Sequence, residues 1–272
     1  MKEITRIGEL ELITHRPDRK KNVPPRQLLF VHGAFVAAWC WDDNFLPYFA
    51  KHGFTAHALS LRGHGGSGGR DRLETTSVDD YEADVQLIAR HLGGPLDVIG
   101  HSMGAMIVQR CLHKLNATNA VLMASVPPGG LLGSSMLMAA RDPHLFTDIN
   151  RIQHSRPNFS TVLGVRRAVF SDHLSDEEVG RHLARMQPES HRAILDLSWP
   201  QQFFIGRSTG LPVLVLGGES DAFFTRGMIE ATARVYGVTA EIFPDIAHAM
   251  MLERNWQLVA DRIIEWLRRD GA

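Results

Sequence analysis

The sequence predicts an α/β protein in which a helical insertion interrupts a doubly wound, mostly parallel sheet. Short apolar runs alternate with helical patterns along most of the 272-residue chain, which is typical of parallel sheets covered by helices. The alternation stops between residues 131 and 207, where helical patterns occur without a clear buried strand. We therefore expect a core of residues 1–130 and 208–272, with residues 131–207 as a helical cap or lid. Ligands of such sheets bind at the carboxyl ends of the strands, where we expect the cap to lie.

The strands are predicted from short apolar stretches. Residues 4–16 alternate loosely around a glycine, which predicts a hairpin or two edge strands. QLLFVHG is a nearly continuous apolar run, as expected of a parallel strand buried on both faces. QLLFVHG covers residues 27–33. The strands predicted after it are the start of FTAHALSLRGHGGSGG (54–69), LDVIGHS (96–102), NAVLMASVPP (119–128), LPVLVLGG (211–218) and TAEIFPDIAH (239–248).

Helical spacing of apolar residues separates these strands. The helix predicted over 77–94 has acids in its first turn and Arg and His near its end, as the helix dipole favours. Within the insertion, Ser175 and Glu178 have the spacing of a capping box. The other predicted core helices cover residues 39–53, 103–115, 225–237 and 255–269.

Composition and charge argue against several classes of function. A net charge of −1 argues against a nucleic-acid-binding protein, which would usually carry a basic surplus. No apolar run reaches about 18 residues and the N-terminus is charged, so we expect neither a transmembrane helix nor a signal peptide. Only two cysteines occur, Cys40 and Cys111, which favours reduced thiols and a cytoplasmic location. No metal-ligand spacing such as H-E-x-x-H is present, so we expect no metal site.

The stretch GHSMG, residues 100–104, carries the clearest candidate for a nucleophile. Ser102 directly follows an apolar strand and opens a helix, so the chain must turn tightly at this residue. Such an elbow requires small residues two positions away on each side, and Gly100 and Gly104 meet that requirement. The sequence therefore predicts that the Ser102 hydroxyl stands above the sheet as a nucleophile.

A nucleophilic serine needs a base, and the base needs an acid that orients it. His248, in DIAHAMMLE, lies just after the last predicted strand. Asp221, in GGESDAFF, follows the preceding strand and should lie at the same edge of the sheet as Ser102. Glu219 is a rival acid, and Asp245 is another that lies too near His248 in sequence to approach its ring easily. We predict a triad of Ser102, His248 and Asp221.

The HGAF stretch after the first parallel strand predicts part of an oxyanion hole. The backbone amides of Ala34 and Met103 are the natural donors to a developing oxyanion. His32 and His101 flank these positions, and we expect each to fix a loop by hydrogen bonding rather than to transfer protons. RGHGGSGG lacks the G-x-x-x-x-G-K-[ST] pattern, so it predicts a tight loop with a structural His64 rather than a phosphate cradle.

Large apolar residues near these motifs predict an apolar acyl pocket. Phe35 and Trp39 lie beside the oxyanion loop, and Met250 follows the predicted base, so each is a candidate for lining the pocket. A helix packed on the sheet also requires large apolar side chains, so core packing is the alternative role for these residues. The stretches LLGSSMLMAA, SWPQQFF and AMMLE add Met, Leu and Phe side chains to the same expectation.

The motifs HGAF, LRGHGGSGG, GHSMGA, GGESD and AHAMMLE follow one another along the chain. In these motifs and their intervals the sequence resembles the α/β-hydrolase superfamily over nearly its whole length, except in the insertion. The resemblance implies a Ser-His-acid site, an oxyanion hole and a helical cap. LRGHGGSGG together with GHSMGA is similar to the broad esterase and monoacylglycerol lipase or lysophospholipase-like group.

Other branches of this superfamily fit less well at single positions. Haloalkane dehalogenases and epoxide hydrolases of this fold use Asp at the elbow, where this chain has Ser102. Hydroxynitrile lyases resemble HGAFVAAWCW, but their site lysine follows the catalytic His, whereas Ala249 follows it here. Ring-cleavage C–C hydrolases usually carry Trp at that position. Cofactor-free perhydrolases share the triad and stay an alternative.

We therefore predict a serine hydrolase that cleaves carboxylic esters of small or medium acyl groups through an acyl-serine intermediate at Ser102. The expected partner is a small-molecule acyl substrate, and no cofactor is needed. Thioesterase, lactonase, activated-amide and perhydrolase activities would use the same triad. A small-molecule sensor on the hydrolase scaffold, or a scaffold role without ligand, are alternatives from other classes. The sequence leaves the natural acyl and alcohol groups and the oligomeric state open.

Overall fold

The computed structural model describes residues 1–18, 26–147, 162–205 and 210–269. Eight strands in these residues form one sheet. They are β1 (Lys2–Ile7), β2 (Leu10–His15), β3 (Gln27–Val31), β4 (Thr55–Leu59), β5 (Leu96–His101), β6 (Ala117–Met123), β7 (Val213–Gly218) and β8 (Glu241–Phe243). Their order across the sheet is β1-β2-β4-β3-β5-β6-β7-β8.

The strand order places a crevice at the centre of the sheet. β1 and β2 form the predicted hairpin, and β2 pairs antiparallel with β4. From β4 to β8 all neighbouring strands run parallel. β3 lies between β4 and β5, so the connections after β3 and β5 leave the sheet in opposite directions. Val31 pairs with Gly100 in the register of these two strands, which brings the HGAF loop beside Ser102.

The described helices cover the two faces of the sheet and one edge. They are α1 (Trp39–Asp42), α2 (Phe45–Lys51), α3 (Val78–Leu92), α4 (Met103–Cys111), α5 (Leu131–Arg141), α6 (Val162–Val169), α7 (Asp176–Leu183), α8 (His191–Ser198), α9 (Arg226–Val235) and α10 (Trp256–Arg269). Residues 143–147 are also helical. This is the α/β-hydrolase fold class that the sequence predicts, with a mostly parallel, doubly wound sheet.

The core lies in two layers because successive side chains of a strand point to opposite faces. In β3, Leu28 and Phe30 pack into one layer, whereas Leu29 and Val31 pack into the other. All four are fully buried. A strand buried on both faces has no place for polar side chains, which is why QLLFV is almost purely apolar. The two cysteines are also buried, and neither forms a disulfide within the described residues.

Two predicted elements are shorter in the structure than in the sequence pattern. The helix predicted over 39–53 is divided into α1 and α2. Pro47 lies in the first turn of α2, where its missing N–H is tolerated, and one continuous helix would bring its ring against the carbonyl of Asp43. The strand predicted over 239–248 ends at Phe243, since Pro244 cannot donate to the ladder.

We use the word cap for the described residues between β6 and β7, which are helical without a strand. Ser175 caps α7 with the predicted box, because its hydroxyl accepts from the Glu178 amide and Glu178 bonds back to the Ser175 amide. Ser190 caps α8 through one bond, in which its hydroxyl accepts from the Ala193 amide. The predicted boundary between residues 207 and 208 lies outside the described residues.

Candidate active site

The candidate nucleophile lies on a strained turn between β5 and α4. Ser102 has φ +53° and ψ −119°, a conformation that side-chain-bearing residues rarely adopt and that costs about 1–3 kcal/mol. A Cβ on Gly100 would lie 2.5 Å from the Ala105 Cα, and one on Gly104 would lie 2.3 Å from the His32 carbonyl oxygen. Only glycine fits at both positions, so the sequence pattern at the elbow has a steric cause.

Three side chains from three strand ends form one hydrogen-bonded chain. His248 Nε2 lies 3.0 Å from Ser102 Oγ, and His248 Nδ1 lies 2.9 Å from Asp221 Oδ2. The other carboxylate oxygen of Asp221 accepts the amides of Phe223 and Phe224 at 2.8 and 3.0 Å. Asp221 is therefore fixed by its own loop with one oxygen free for the imidazole. With Asp221 as acceptor, His248 carries its hydrogen on Nδ1, and Nε2 accepts from the serine.

The two rival acids lie elsewhere. Glu219 and Asp245 are both exposed, and neither forms a hydrogen bond or an ion pair with His248 in the described structure. The geometry thus brings together the three residues that the sequence predicts and leaves the rivals outside.

The loop that carries His248 is held on both sides. The Ala249 amide donates to the Val169 carbonyl in the cap at 2.9 Å, and the Ala247 amide donates to Glu253 at 3.3 Å. The His248 carbonyl accepts from His101 Nε2 at 2.9 Å. His101 therefore fixes this loop by hydrogen bonding, as its position in the sequence predicts. Burial, followed by the nearby His248, lowers the pKa of His101 well below its usual value and keeps its ring neutral.

The backbone amides of Ala34 and Met103 are available as donors beside Ser102. Within the part of the chain that the structure describes, neither amide donates a hydrogen bond. His32 accepts from the Leu61 amide through Nε2 at 3.0 Å and donates through Nδ1 to the Gly33 carbonyl at 2.7 Å. Burial, and then the adjacent His64, lowers the pKa of His32 to about 3, so the ring stays in this neutral form. His32 thus holds the peptide that ends in the Ala34 N–H.

An apolar cavity of about 220 Å³ opens onto Ser102 and His248. Apolar side chains dominate its lining, and no Asp, Glu, Lys or Arg among the described residues contributes to it. Its polar lining side chains are those of His101, Ser102, Ser134, Ser135, His182 and His248. The cavity therefore suits an uncharged apolar group next to the serine.

Two of the three predicted lining residues lie along the cavity in the structure, and the third does not. Phe35 and Trp39 line the cavity. Met250 does not line the cavity, whereas its neighbour Met251 does, although both side chains are buried in the same hydrophobic core. In a tight turn a shift of one position changes the direction of the side chain, and an apolar run such as AMMLE does not show which methionine faces the site.

The other apolar stretches divide in a similar way. Leu131 and Met138 of α5 line the cavity, so LLGSSMLMAA contributes to the pocket as predicted. SWPQQFF does not, because Trp199, Phe203 and Phe204 are exposed at 60%, 81% and 52%. The cap contributes Met186 to the wall instead, which no motif indicated.

A buried polar cluster that sequence reasoning missed joins the cap to the core. Glu189 of the cap forms an ion pair with His64 at 3.1 Å and accepts from the Tyr81 hydroxyl at 2.6 Å. Burial disfavours the charged forms of both partners, but their mutual attraction raises the pKa of His64 and lowers the pKa of Glu189. Tyr81 and Glu189 are 108 residues apart in sequence, so no local pattern could reveal the contact.

The described residues hold no group of three or more His, Cys, Asp or Glu side chains arranged to bind a metal ion. Among the same residues, no helix is both long enough and apolar enough to span a membrane.

Comparisons with known proteins agree with the fold. Epoxide hydrolase 3 of Xenopus tropicalis is 25% identical over 269 residues, which cover 89% of this chain and 71% of that protein. A bromoperoxidase from Bacillus anthracis superposes with a TM-score of 0.76 at 15% identity, covering 98% of this chain and 100% of that one. A thermophilic esterase from Thermogutta terrifontis gives a TM-score of 0.72 at 18% identity, with 100% of both chains covered. At these identities the two structures show the fold alone.

The sequence also matches the model of a protein family. The model of the alpha/beta hydrolase family matches residues 28–262, from the start of β3 into α10. This range includes the HGAF loop, the Ser102 elbow and the loops of Asp221 and His248. The chain belongs to the alpha/beta hydrolase family.

Proposed function

We propose that this hydrolase cleaves uncharged carboxylic esters of small or medium acyl groups with Ser102 as the nucleophile. The observation that carries the proposal is the continuous chain from Ser102 Oγ through His248 to Asp221, with contacts of 3.0 and 2.9 Å. A serine with an oriented base and an adjacent oxyanion site has the parts that acyl transfer requires.

The reaction follows from this geometry. Ser102 Oγ attacks the carbonyl carbon of the ester while His248 Nε2 takes the hydroxyl proton. The carbonyl oxygen becomes an oxyanion, which the amides of Ala34 and Met103 stabilise as donors. His248 then gives its proton to the leaving alcohol oxygen, and an acyl-serine forms. Water, deprotonated by His248, then attacks the acyl carbon, and His248 returns that proton to Ser102 Oγ as the acid leaves and the serine hydroxyl is restored. Asp221 stabilises the imidazolium in both halves of the reaction.

The cavity supports the choice of substrate class. A cationic or anionic substrate group would lose its hydration without gaining an opposite charge from the described lining residues. An apolar acyl or alcohol group gains instead from contact with side chains such as Met138, Phe170 and Leu252. We therefore expect neutral esters to be preferred over esters of charged acids.

The alternatives share these parts and differ in the group that leaves or attacks. Thioesters, lactones and activated amides would acylate Ser102 in the same way, and hydrogen peroxide could replace water in a perhydrolase. Epoxide hydrolase 3 is similar in sequence. Epoxide hydrolases of this fold carry Asp at the elbow, so Ser102 favours ester chemistry here. A small-molecule sensor would keep the cavity without turnover. The cytoplasmic location stays a prediction.

The proposal is tested by labelling and by turnover. We expect a fluorophosphonate probe to label the wild type, and a panel of chromogenic esters and thioesters of graded acyl length to show one preferred length. Ser102→Ala should abolish both the labelling and the turnover. Ser198→Ala removes a cap hydroxyl that bonds to its own helix, and it should leave both unchanged.

Different results would support different functions. A wild type that reacts with no probe and turns over no ester would overturn the proposal. Tight binding of one compound in that case would indicate the sensor. A higher rate on thioesters than on esters with the same acyl group would replace esterase by thioesterase.

A further inference from the structure

A glutamine of the cap, Gln187, bonds to the HGAF loop that carries Ala34. The backbone N–H of Gln187 donates to the Phe35 carbonyl at 2.9 Å. Phe35 directly follows Ala34 and has φ +67°, the left-handed region that bulky residues avoid. Such a conformation persists only when surrounding contacts hold it, and this bond from the cap is one of them.

The Gln187 side chain fixes the same residue to a second core loop. Its Nε2 donates to the Gly63 carbonyl at 2.9 Å, and its Oε1 accepts from the Gly65 amide at 2.9 Å. Arg70 donates to the same Oε1 at 3.1 Å. The Gln187 side chain thus bonds to both sides of the turn in RGHGGSGG. The same bonds hold the Gln187 backbone where its N–H reaches the Phe35 carbonyl.

The Ala34 amide therefore lies between two fixed carbonyls. His32 holds the Gly33 carbonyl at 2.7 Å, and Gln187 holds the Phe35 carbonyl at 2.9 Å. In a trans peptide the C=O and N–H point in opposite directions, so a fixed Gly33 carbonyl sets the direction of the Ala34 N–H. The bond from Gln187 restrains the loop on the other side of Ala34.

The neighbours of Gln187 strengthen the attachment of the cap. Arg185 forms an ion pair with Asp43 at 2.6 Å and covers the Trp39 ring at 4.1 Å. Glu189 pairs with His64, whose ring lies 5.2 Å from that of His32. Residues 185, 187 and 189 all contact the core, while Met186 between them faces the cavity. The same short segment forms the wall of the pocket and supports the oxyanion loop.

We propose that Gln187 is a positioning residue for the oxyanion hole. The inference rests on the proposed serine hydrolysis. Gln187 does not touch the substrate; it acts through the Phe35 carbonyl on the direction of the Ala34 N–H. The Ala34 N–H that Gln187 positions stabilises the charge that develops on the carbonyl oxygen in the transition state. Loss of Gln187 should therefore lower kcat more than it raises KM.

The test compares two variants of Gln187 with one control. Gln187→Met keeps the length of the side chain and removes the side-chain hydrogen bonds to the turn in RGHGGSGG. Gln187→Ala also removes the bulk of the side chain. Gln202→Ala changes an exposed cap glutamine. The measurements are kcat and KM on the preferred ester, the thermal midpoint, and the affinity for a trifluoromethyl ketone. That ketone forms a tetrahedral adduct on Ser102 with its oxygen in the oxyanion hole.

We expect kcat of Gln187→Met to fall about tenfold or more, because small displacements of an oxyanion donor have effects of this size. KM should change less than about twofold, and the ketone affinity should fall in proportion to kcat/KM. Gln187→Ala should behave alike, and Gln202→Ala should match the wild type.

Two outcomes would overturn the inference while leaving the proposed function intact. One is an unchanged kcat in Gln187→Met with an active wild type. The other is a rise in KM alone with unchanged ketone affinity, which would show that Gln187 only packs the cap. If the wild type turns over no ester and binds no ketone, the proposed function fails and the inference fails with it.

Discussion

The edge of the sheet and the cap contribute to the candidate site in different ways. At the sheet edge, Ser102, Asp221 and His248 each follow a strand within a few residues, so the hydrogen-bonded sheet fixes their backbone positions. The cap has no such framework. It is attached by side chains such as Gln187 and Glu189, whose partners lie more than 100 residues away in sequence.

The residues proposed to react and the residues that hold them in place therefore lie in different parts of the structure. The three residues proposed to react lie in or next to turns that directly follow strands of the sheet. The cap supplies the cavity wall and a few hydrogen bonds, some from side chains and some between backbone groups such as the Gln187 N–H and the Phe35 carbonyl. Substitutions at the sheet edge should therefore change the rate with little loss of stability. Those in the cap should change stability first, apart from those at Gln187, whose loss should lower kcat. The following predictions test that division, from the largest expected effect to the smallest.

Asp221→Asn should give the largest effect on rate. The new carbonyl oxygen must keep accepting the amides of Phe223 and Phe224, so the NH₂ group faces His248 Nδ1. The imidazole hydrogen then moves to Nε2, and His248 can no longer accept the proton of Ser102. We expect kcat to fall about 10⁴-fold with an unchanged thermal midpoint, measured by ester turnover and thermal unfolding.

Glu219→Gln is the matched control for this prediction. It changes an exposed acid of the same loop and should keep wild-type kcat. The opposite pattern, with Asp221→Asn active and Glu219→Gln inactive, would assign the orienting acid to Glu219.

Glu189→Gln should give the largest loss of stability. It removes the charge that faces buried His64, and breaking a buried pair costs about 3–5 kcal/mol of unfolding free energy. Chemical denaturation at pH 6 measures the loss. Glu177→Gln, at an exposed ion pair of 3.8 Å in α7, should stay within about 0.5 kcal/mol of the wild type.

The stabilisation by this pair should depend on pH in both directions. The pKa of Glu189 is lowered from 4.5, so its contribution is present above that value and is lost as pH falls through the folded-state pKa. The pKa of His64 is raised from 6.5, so its contribution is present below that value and is lost as pH rises through the folded-state pKa. The stability difference between wild type and Glu189→Gln should be largest between these two values. A difference independent of pH would contradict a charged pair.

Ser175→Ala tests a local feature of the cap. It removes the hydroxyl that accepts from the Glu178 amide at 3.2 Å, and loss of such an N-cap costs about 1 kcal/mol. Thermal unfolding should show a decrease of about 2–4 °C. Because α7 does not carry reacting groups, kcat should stay at the wild-type value. A large fall in kcat would mean that the cap and the sheet edge are not separable as described.

Phe203→Ser should have the smallest effect. The Phe203 side chain is 81% exposed and does not line the cavity. Its replacement should change the unfolding free energy by less than about 0.5 kcal/mol and leave kcat and KM unchanged. An increase in KM would show that this outer surface of the cap takes part in substrate binding.

Residues at strand ends could be predicted from sequence because their constraints are local. Gly100 and Gly104 are required by close backbone contacts within one turn, and the strand before Ser102 is visible as an apolar run. The acid and the base follow strands in the same way. These positions depend on chain neighbours, so a motif records them.

Cap contacts could not be predicted because their constraints are distant. Gln187 and Glu189 carry no pattern of their own, and their partners Gly63 and Tyr81 belong to core loops and helices far along the chain. Met250 shows a related limit, since the choice between two adjacent methionines depends on how a turn packs. Sequence patterns specify the type of side chain at such places and leave its direction to tertiary contacts.

The uncharged lining of the cavity has a consequence for the end of the proposed reaction. Hydrolysis turns a neutral ester into a carboxylic acid that is ionised at neutral pH. A carboxylate against these apolar walls loses its hydration, and no Lys or Arg among the described lining residues offsets that loss. The cavity should therefore bind the neutral ester better than its carboxylate product, so the free acid of a good ester substrate should be a poor inhibitor.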